Sequence, residues 1–148
     1  MNILHLADEA ATIRLGEAVA KALRAGDAVC LWGALGAGKS TLARALIRAL
    51  TTPDEEVPSP TFTLVQTYEA ADFPIAHFDL YRLETADEAF ELGLDEALDE
   101  GAAVIEWPER LSGRLPHNRL DIELEPAGEG RNARLKLRGD FEGRSIEF

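Results

Sequence analysis

The spacing of apolar residues changes several times along this chain, and each change marks a predicted element. Residues 2–6 are a short apolar run, typical of a strand, and Asp8 can cap a following helix whose apolar positions recur at helical spacing until Gly26. Residues 28–32, AVCLW, are continuously apolar, as expected of a strand buried on both faces. Residues 40–50, STLARALIRAL, favour a helix. The first third therefore predicts strand, helix, strand and helix in that order.

The middle of the chain combines two strand-like runs with an interrupted helix. Residues 61–69, TFTLVQTYE, and residues 74–81, PIAHFDLY, predict two strands that either form a hairpin or lie side by side. Residues 85–100 have helical composition and are interrupted at Gly93.

The last part of the chain predicts three more strands. Residues 102–107, AAVIEW, are another short buried run. Residues 119–126 and 133–139 alternate apolar and polar side chains, the pattern of an antiparallel hairpin with one wet face. We expect one α/β domain over residues 1–148, with a mixed, mostly parallel central sheet flanked by helices and a C-terminal antiparallel hairpin.

The net charge of −12 is concentrated in the middle of the chain. Residues 1–51 carry six basic and four acidic groups, residues 52–111 carry two and sixteen, and residues 112–148 carry seven of each. Because an acidic surface repels a phosphate backbone, this distribution argues against a protein that grips nucleic acid by itself. It fits a basic protein partner or a face that only keeps the protein soluble.

The sequence shows neither a secretion signal nor a disulfide framework. The N-terminal residues lack a basic region, and Cys30 is the single cysteine of the chain. We expect a cytoplasmic protein with one buried, unreactive thiol.

Residues 33–40, GALGAGKS, match the Walker A pattern Gly-x-x-x-x-Gly-Lys-Ser. The motif follows a predicted strand and opens a predicted helix, which is the context it requires. Glycines let backbone N–H groups turn toward a phosphate chain, Lys39 would reach the β- and γ-phosphates, and the Ser40 hydroxyl would bind Mg²⁺. We therefore expect the chain to bind a nucleotide.

Two acidic residues end predicted strands beside this loop. Asp79 follows PIAHF and Glu106 follows AAVI, and ligands of α/β proteins bind at the carboxyl ends of the strands. Hydrolysis needs an acidic group for Mg²⁺ and a group that orients water, and the spacing does not assign the two roles. Either residue alone can also be an ordinary surface acid. His77, in the same apolar strand as Asp79, is interpreted as packed and not catalytic.

Two further features adjoin the strand ends. Trp107 stands at the mouth of a predicted strand, where it could stack on a base or pack in the core. In VPSPTF, residues 57–62, two prolines stiffen a loop that presents Ser59 and Thr61. Loops that sense the γ-phosphate lie at this place in P-loop proteins, although a plain rigid turn would look the same.

The chain resembles the TsaE family, the small ATPases of bacterial tRNA threonylcarbamoyladenosine synthesis. Five segments occur in the order and spacing of that family: GALGAGKST, VPSPTFTLVQTYE, HFDLYRL, IEWPERL and GEGRNARL. The resemblance implies a P-loop α/β fold, ATP and Mg²⁺ as cofactors, and slow ATP hydrolysis. It also implies an accessory role for the TsaB–TsaD pair, which modifies the adenosine next to the anticodon, so that contact with tRNA would be indirect.

The resemblance further implies roles for individual residues. Catalysis would rest on Lys39, Asp79 and Glu106, and Mg²⁺ would be held by Ser40 and Glu106. Trp107 would lie near the adenine. The implied nucleotide ligands are Glu9, Gly33, Leu35, Gly36, Ala37, Gly38, Lys39, Ser40, Thr41, Thr61, Asp79, Trp107 and Arg131. The chain departs from many relatives at Ser40, where threonine is commoner, and at Ala34, where aspartate is common.

Two other functions fit a P-loop chain of this length. A small-molecule kinase usually needs several arginines around the transferred phosphoryl group, and residues 52–111 offer only Arg82 and Arg110. A scaffold that senses a nucleotide without useful turnover would not need Glu106 for its work.

Overall fold

Seven strands pair into one mixed sheet in the computed structural model, which describes residues 2–34 and 36–148. The strands are β1 (Asn2–Leu6), β2 (Ala28–Trp32), β3 (Val65–Tyr68), β4 (Ile75–Asp79), β5 (Ala102–Glu106), β6 (Arg119–Ala127) and β7 (Gly130–Arg138). The helices are α1 (Glu9–Ala22), α2 (Lys39–Leu50), α3 (Ala86–Glu91) and α4 (Leu94–Glu100), with short 3-10 helices at Pro108–Leu111 and Gly139–Phe141.

The sheet has a parallel centre and antiparallel edges. Its strand order is β1-β7-β6-β2-β5-β4-β3. Strand β2 pairs in parallel with β5 and β6, and β4 pairs in parallel with β5. The β3–β4, β6–β7 and β1–β7 pairs are antiparallel. This arrangement confirms the predicted fold class, including the C-terminal hairpin, whose strands join through the two residues between Ala127 and Gly130.

The helix ends follow from local chemistry. The Asp8 side chain accepts a hydrogen bond from the Ala11 backbone N–H at 2.9 Å, as expected of an N-cap. Helix α1 then ends at Ala22, before Gly26. At Gly93 the backbone has φ 95°, a conformation that favours glycine, and the predicted helix divides there into α3 and α4.

Strand β3, at the edge of the sheet, is shorter than the run TFTLVQTYE predicts. Pairing begins at Val65 and not at Thr61. The Leu64 backbone N–H donates to the Pro60 carbonyl at 2.7 Å, and Leu64 has φ 72°. Residues 60–64 therefore form a turn, and the chain pairs with β4 only after this turn.

The core lies on both faces of the sheet. One face packs with α1 and α2 and contributes Val29, Leu31 and Val104, whereas the opposite face contributes Phe78 and Ile105 toward α3 and α4. Because side chains alternate along a strand, the central strands are buried throughout, as the continuous apolar runs predict. None of the helices in the described residues is long and apolar enough to cross a membrane.

Candidate functional site

A cavity of about 310 Å³ lies where β2, β4 and β5 end and α2 begins. Most of the predicted site residues meet there. The cavity is lined by Gly36, Gly38, Lys39, Ser40, Thr41, Ser59, Thr61, Asp79, Glu106, Trp107 and Arg131. Residues far apart in sequence are thus brought to one place at the carboxyl edge of the sheet, where α/β proteins bind ligands.

The remaining predicted ligands lie around this cavity. Gly33 packs closely against β6, since a Cβ atom there would meet the Leu124 carbonyl oxygen at 2.6 Å. Ala37 is buried in the core. Glu9 is exposed at the start of α1 and lines a neighbouring cavity that shares Thr41 with the first. Leu35 lies outside the described residues.

The register of two parallel strands places the acidic pair. Asp79 on β4 lies opposite Glu106 on β5, and both side chains share the sheet face that packs with α1 and α2. Both residues are buried, with 5% and 3% of their surface exposed. Two carboxylates at this depth need polar partners, because burial without hydrogen bonds costs free energy.

Asp79 connects the strand to the proline-rich loop. Its carboxylate accepts a hydrogen bond from the Thr61 hydroxyl at 3.2 Å and another from the Tyr81 backbone N–H at 3.0 Å. The Thr61 and Ser59 hydroxyls are 2.8 Å apart. A change at Asp79 can therefore reach the loop through two hydroxyl groups.

Glu106 has a different partner. His77 Nε2 lies 2.7 Å from Glu106 Oε2, and both side chains are buried. An ionised carboxylate only accepts hydrogen bonds, so this contact requires the tautomer of His77 that carries a proton on Nε2, and the ring then donates. The Glu106 carbonyl also accepts a hydrogen bond from the Leu80 backbone N–H at 3.1 Å, which fixes the end of β5 against β4.

The Lys39 ammonium lies at the cavity without a hydrogen bond to any described residue. The residue is 5% exposed, and its Nζ atom has no hydrogen-bond partner among the described residues. Burial lowers the pKa of Lys39, while the charges of Glu106, Glu109 and Asp79 act in the opposite direction and raise it. A buried ammonium without a partner suits an anionic ligand.

Trp107 covers this ammonium. The centre of its ring lies 3.6 Å from Lys39 Nζ, and the Tyr81 ring packs against it at 4.8 Å between centroids. Trp107 has φ 61°, so the chain turns sharply between β5 and Pro108 and directs the indole over the loop. Stacking on a base stays a prediction.

Arg131 reaches the loop from the C-terminal hairpin. It is the second residue of β7, and a Cβ atom at Gly38 would lie 2.7 Å from its Nε. Glycine at this position therefore leaves space for the guanidinium beside the start of α2. Ser59, expected in the proline-rich loop, lines the cavity, and His77, interpreted as a packed residue, contacts Glu106. Tyr81 contacts the site through Trp107, and no pattern in the sequence pointed to it.

The fold and the site define an α/β protein with a Walker A sequence pattern between a buried strand, β2, and a helix, α2. Acidic residues end the neighbouring strands β4 and β5. The family model described as threonylcarbamoyl adenosine biosynthesis protein TsaE matches residues 6–134. The chain belongs to the TsaE family.

Curated relatives and a solved structure agree with this assignment. The chain is 36% identical to the tRNA threonylcarbamoyladenosine biosynthesis protein TsaE of Rickettsia felis, over 99% of this chain and 85% of the relative. It is 38% identical to the protein of the same name from a Nostoc species, over 88% and 82%. A crystal structure of Bacillus subtilis YdiB superposes with a TM-score of 0.79 at 27% identity, over 95% of this chain and 88% of that one.

Proposed function

We propose that this protein binds and slowly hydrolyses Mg-ATP, and that this turnover serves the threonylcarbamoyladenosine modification of tRNA. The observation that supports ATP binding is the buried Lys39 ammonium, which has no hydrogen-bond partner among the described residues and lies in a cavity with two carboxylates. The TsaE family membership carries the second part.

The cavity suits a polyphosphate. The glycines before α2 and the N-terminus of that helix would present backbone N–H groups, and the Lys39 ammonium has no hydrogen-bond partner among the described residues. Arg131 adds a second cation at Gly38. The same cations would stabilise charge that develops on the phosphoryl group during hydrolysis.

The donor set also suits Mg²⁺, which prefers oxygen ligands. The Ser40 hydroxyl and the Glu106 carboxylate, both at the cavity wall, would hold the ion. Bound there, Mg²⁺ would offset part of the negative charge of the phosphates. Asp79 then has the second acidic role, to orient water and accept its proton, with its carboxylate held by Thr61 and Tyr81.

The proline-rich loop is the proposed switch that signals the nucleotide state. Thr61 contacts Asp79 inside the cavity, and the next residue, Phe62, has 78% of its surface exposed. ATP would order residues 58–62 and favour docking on the TsaB–TsaD pair, and hydrolysis would release them. The acidic middle of the chain fits a role in which protein partners, and not this chain, grip the tRNA.

A kinase is less favoured, because Arg131 is the single arginine among the described residues that line the cavity. Water is therefore the proposed acceptor. ATP use that requires a small metabolite would contradict this choice.

Two measurements test the proposal. Phosphate release from ATP should be slow in the wild-type protein and absent in Lys39→Ala, while circular dichroism shows that the variant is folded. TsaB and TsaD homologues from the same cell, immobilised as a pair, should retain the protein in ATP and release it in ADP. Equal retention of wild type and Lys39→Ala under both conditions would disprove nucleotide gating, and the hydrolysis assay would still decide the ATPase activity.

A further inference from the structure

His77 is the one buried histidine of the sheet centre, and its surroundings do not explain it as a packing residue. It is 2% exposed in a strand whose other members are apolar except Asp79. Its Nδ1 atom has no hydrogen-bond partner among the described residues. An aliphatic side chain at this position would remove the unsatisfied Nδ1 atom but would leave the buried Glu106 carboxylate without this hydrogen bond. Among the described residues, the imidazole makes one hydrogen bond, to Glu106.

The strand register explains how the two side chains meet. His77 and Asp79 lie on the same face of β4, two residues apart, and Val104 and Glu106 lie on the same face of β5. His77 is therefore diagonal to Glu106, one pleat below the cavity. From there its Nε2 engages the Oε2 atom of Glu106 at 2.7 Å, and Glu106 also lines the cavity.

We propose that His77 is a positioning residue that holds the Glu106 carboxylate in the orientation that binds Mg²⁺. This inference rests on the proposed function, because it takes Glu106 as a metal ligand. Side chains that hydrogen-bond to metal-binding carboxylates orient them, and their loss weakens metal binding. Glu106 without this bond could rotate freely about its side-chain torsions, and the site would lose its fixed oxygen.

The test compares two variants of His77 with a matched control on the same sheet face. His77→Leu removes the donor and keeps an apolar side chain, whereas the amide of His77→Gln can donate from the position of Nε2. Val104→Ala, on the neighbouring strand and opposite His77, disturbs packing without removing the hydrogen bond. The readouts are ADP affinity by calorimetry, in EDTA and in excess Mg²⁺, and Mn²⁺ affinity of the ADP-bound protein by electron paramagnetic resonance.

In His77→Leu, Mn²⁺ affinity should fall by about 10- to 100-fold and the gain in ADP affinity from Mg²⁺ should disappear. ADP affinity in EDTA should stay within about twofold of wild type, since Lys39 is untouched. His77→Gln should recover most of the metal affinity, and Val104→Ala should retain it. If His77→Leu does not fold, His77→Asn replaces it, because its shorter amide cannot span the distance to Glu106.

Several results would overturn the inference. Unchanged Mn²⁺ affinity in His77→Leu, no recovery in His77→Gln, or an equal loss in Val104→Ala would each show that His77 does not position Glu106. A wild-type protein that binds ADP equally with and without Mg²⁺ would remove Glu106 as a ligand. Absence of any ADP binding by the wild type would instead refute the proposed function, and this inference with it.

Discussion

Alanine at Gly38 should lower stability and nucleotide affinity for two separate reasons. The residue has φ 103°, which strains any side chain with a Cβ atom, and that Cβ would lie 2.7 Å from Arg131 Nε. Backbone strain of this kind costs about 1–3 kcal/mol, which lowers the melting temperature of a domain this size by roughly 2–12 °C. The Arg131 guanidinium must also move away from the loop that precedes α2.

The second effect of Gly38→Ala is a loss of ADP affinity. A hydrogen bond from arginine to a charged phosphate contributes about 1.5–3 kcal/mol, so displacement of Arg131 should weaken ADP binding about 10- to 150-fold. Calorimetric titration with Mg-ADP measures the affinity, and thermal denaturation measures the stability.

Gly26→Ala is the matched control. Gly26 has φ 95°, a similar backbone conformation, but a Cβ atom there meets nothing within 4 Å. It should lose stability and keep its ADP affinity. In an Arg131→Ala background, Gly38→Ala should change affinity by no more than about twofold and should still lower the melting temperature. The reasoning fails if Gly26→Ala loses affinity too, or if Gly38→Ala weakens binding equally with and without Arg131.

Three more predictions concern other parts of the molecule. Glu106→Gln should abolish phosphate release and preserve ADP binding in EDTA. Loss of both phosphate release and ADP binding in a folded variant would contradict the proposal that Glu106 binds Mg²⁺ while Lys39 binds the phosphates. Asp27 and Arg144 form a buried ion pair, with side chains 3% and 9% exposed, so Arg144→Ala should destabilise the protein by about 3–5 kcal/mol in urea denaturation, and a change below about 1 kcal/mol would be inconsistent with that burial. Burial raises the pKa of the Cys30 thiol, so alkylation at pH 8 should be no faster than unfolding, and rapid labelling of the native protein would show that Cys30 is accessible.

Strand-end position was enough to predict where the acidic pair lies. Asp79 and Glu106 each follow an apolar run, and parallel strands present their carboxyl ends at one edge, so the two residues had to approach each other if the strands were neighbours. The break in the helix at Gly93 was also predictable from the sequence, because a left-handed backbone position favours glycine.

Features that depend on contacts between strands could not be predicted from the local sequence pattern. The bond between His77 and Glu106 joins β4 to β5, and nothing in the local pattern around His77 distinguishes it from a packed residue. Strand β3 begins late because the Leu64 backbone N–H donates to the Pro60 carbonyl and forms a turn, although the local sequence is typical of a strand. The position of β6 beside β2 likewise depends on long-range pairing.

The pairing of β1 with β7 has a consequence for biosynthesis. Leu6 lies opposite Arg131, so the N-terminal strand has no partner in the finished sheet until the ribosome has added the last hairpin. At about 5–20 residues per second, the 125 residues from Ala7 to Arg131 take roughly 6–25 s to make. The same hairpin brings Arg131 to the phosphate loop. A nascent chain therefore contains its Walker A sequence well before Arg131 exists to join it, so the cavity that both of them line is complete only after the β6–β7 hairpin has been made.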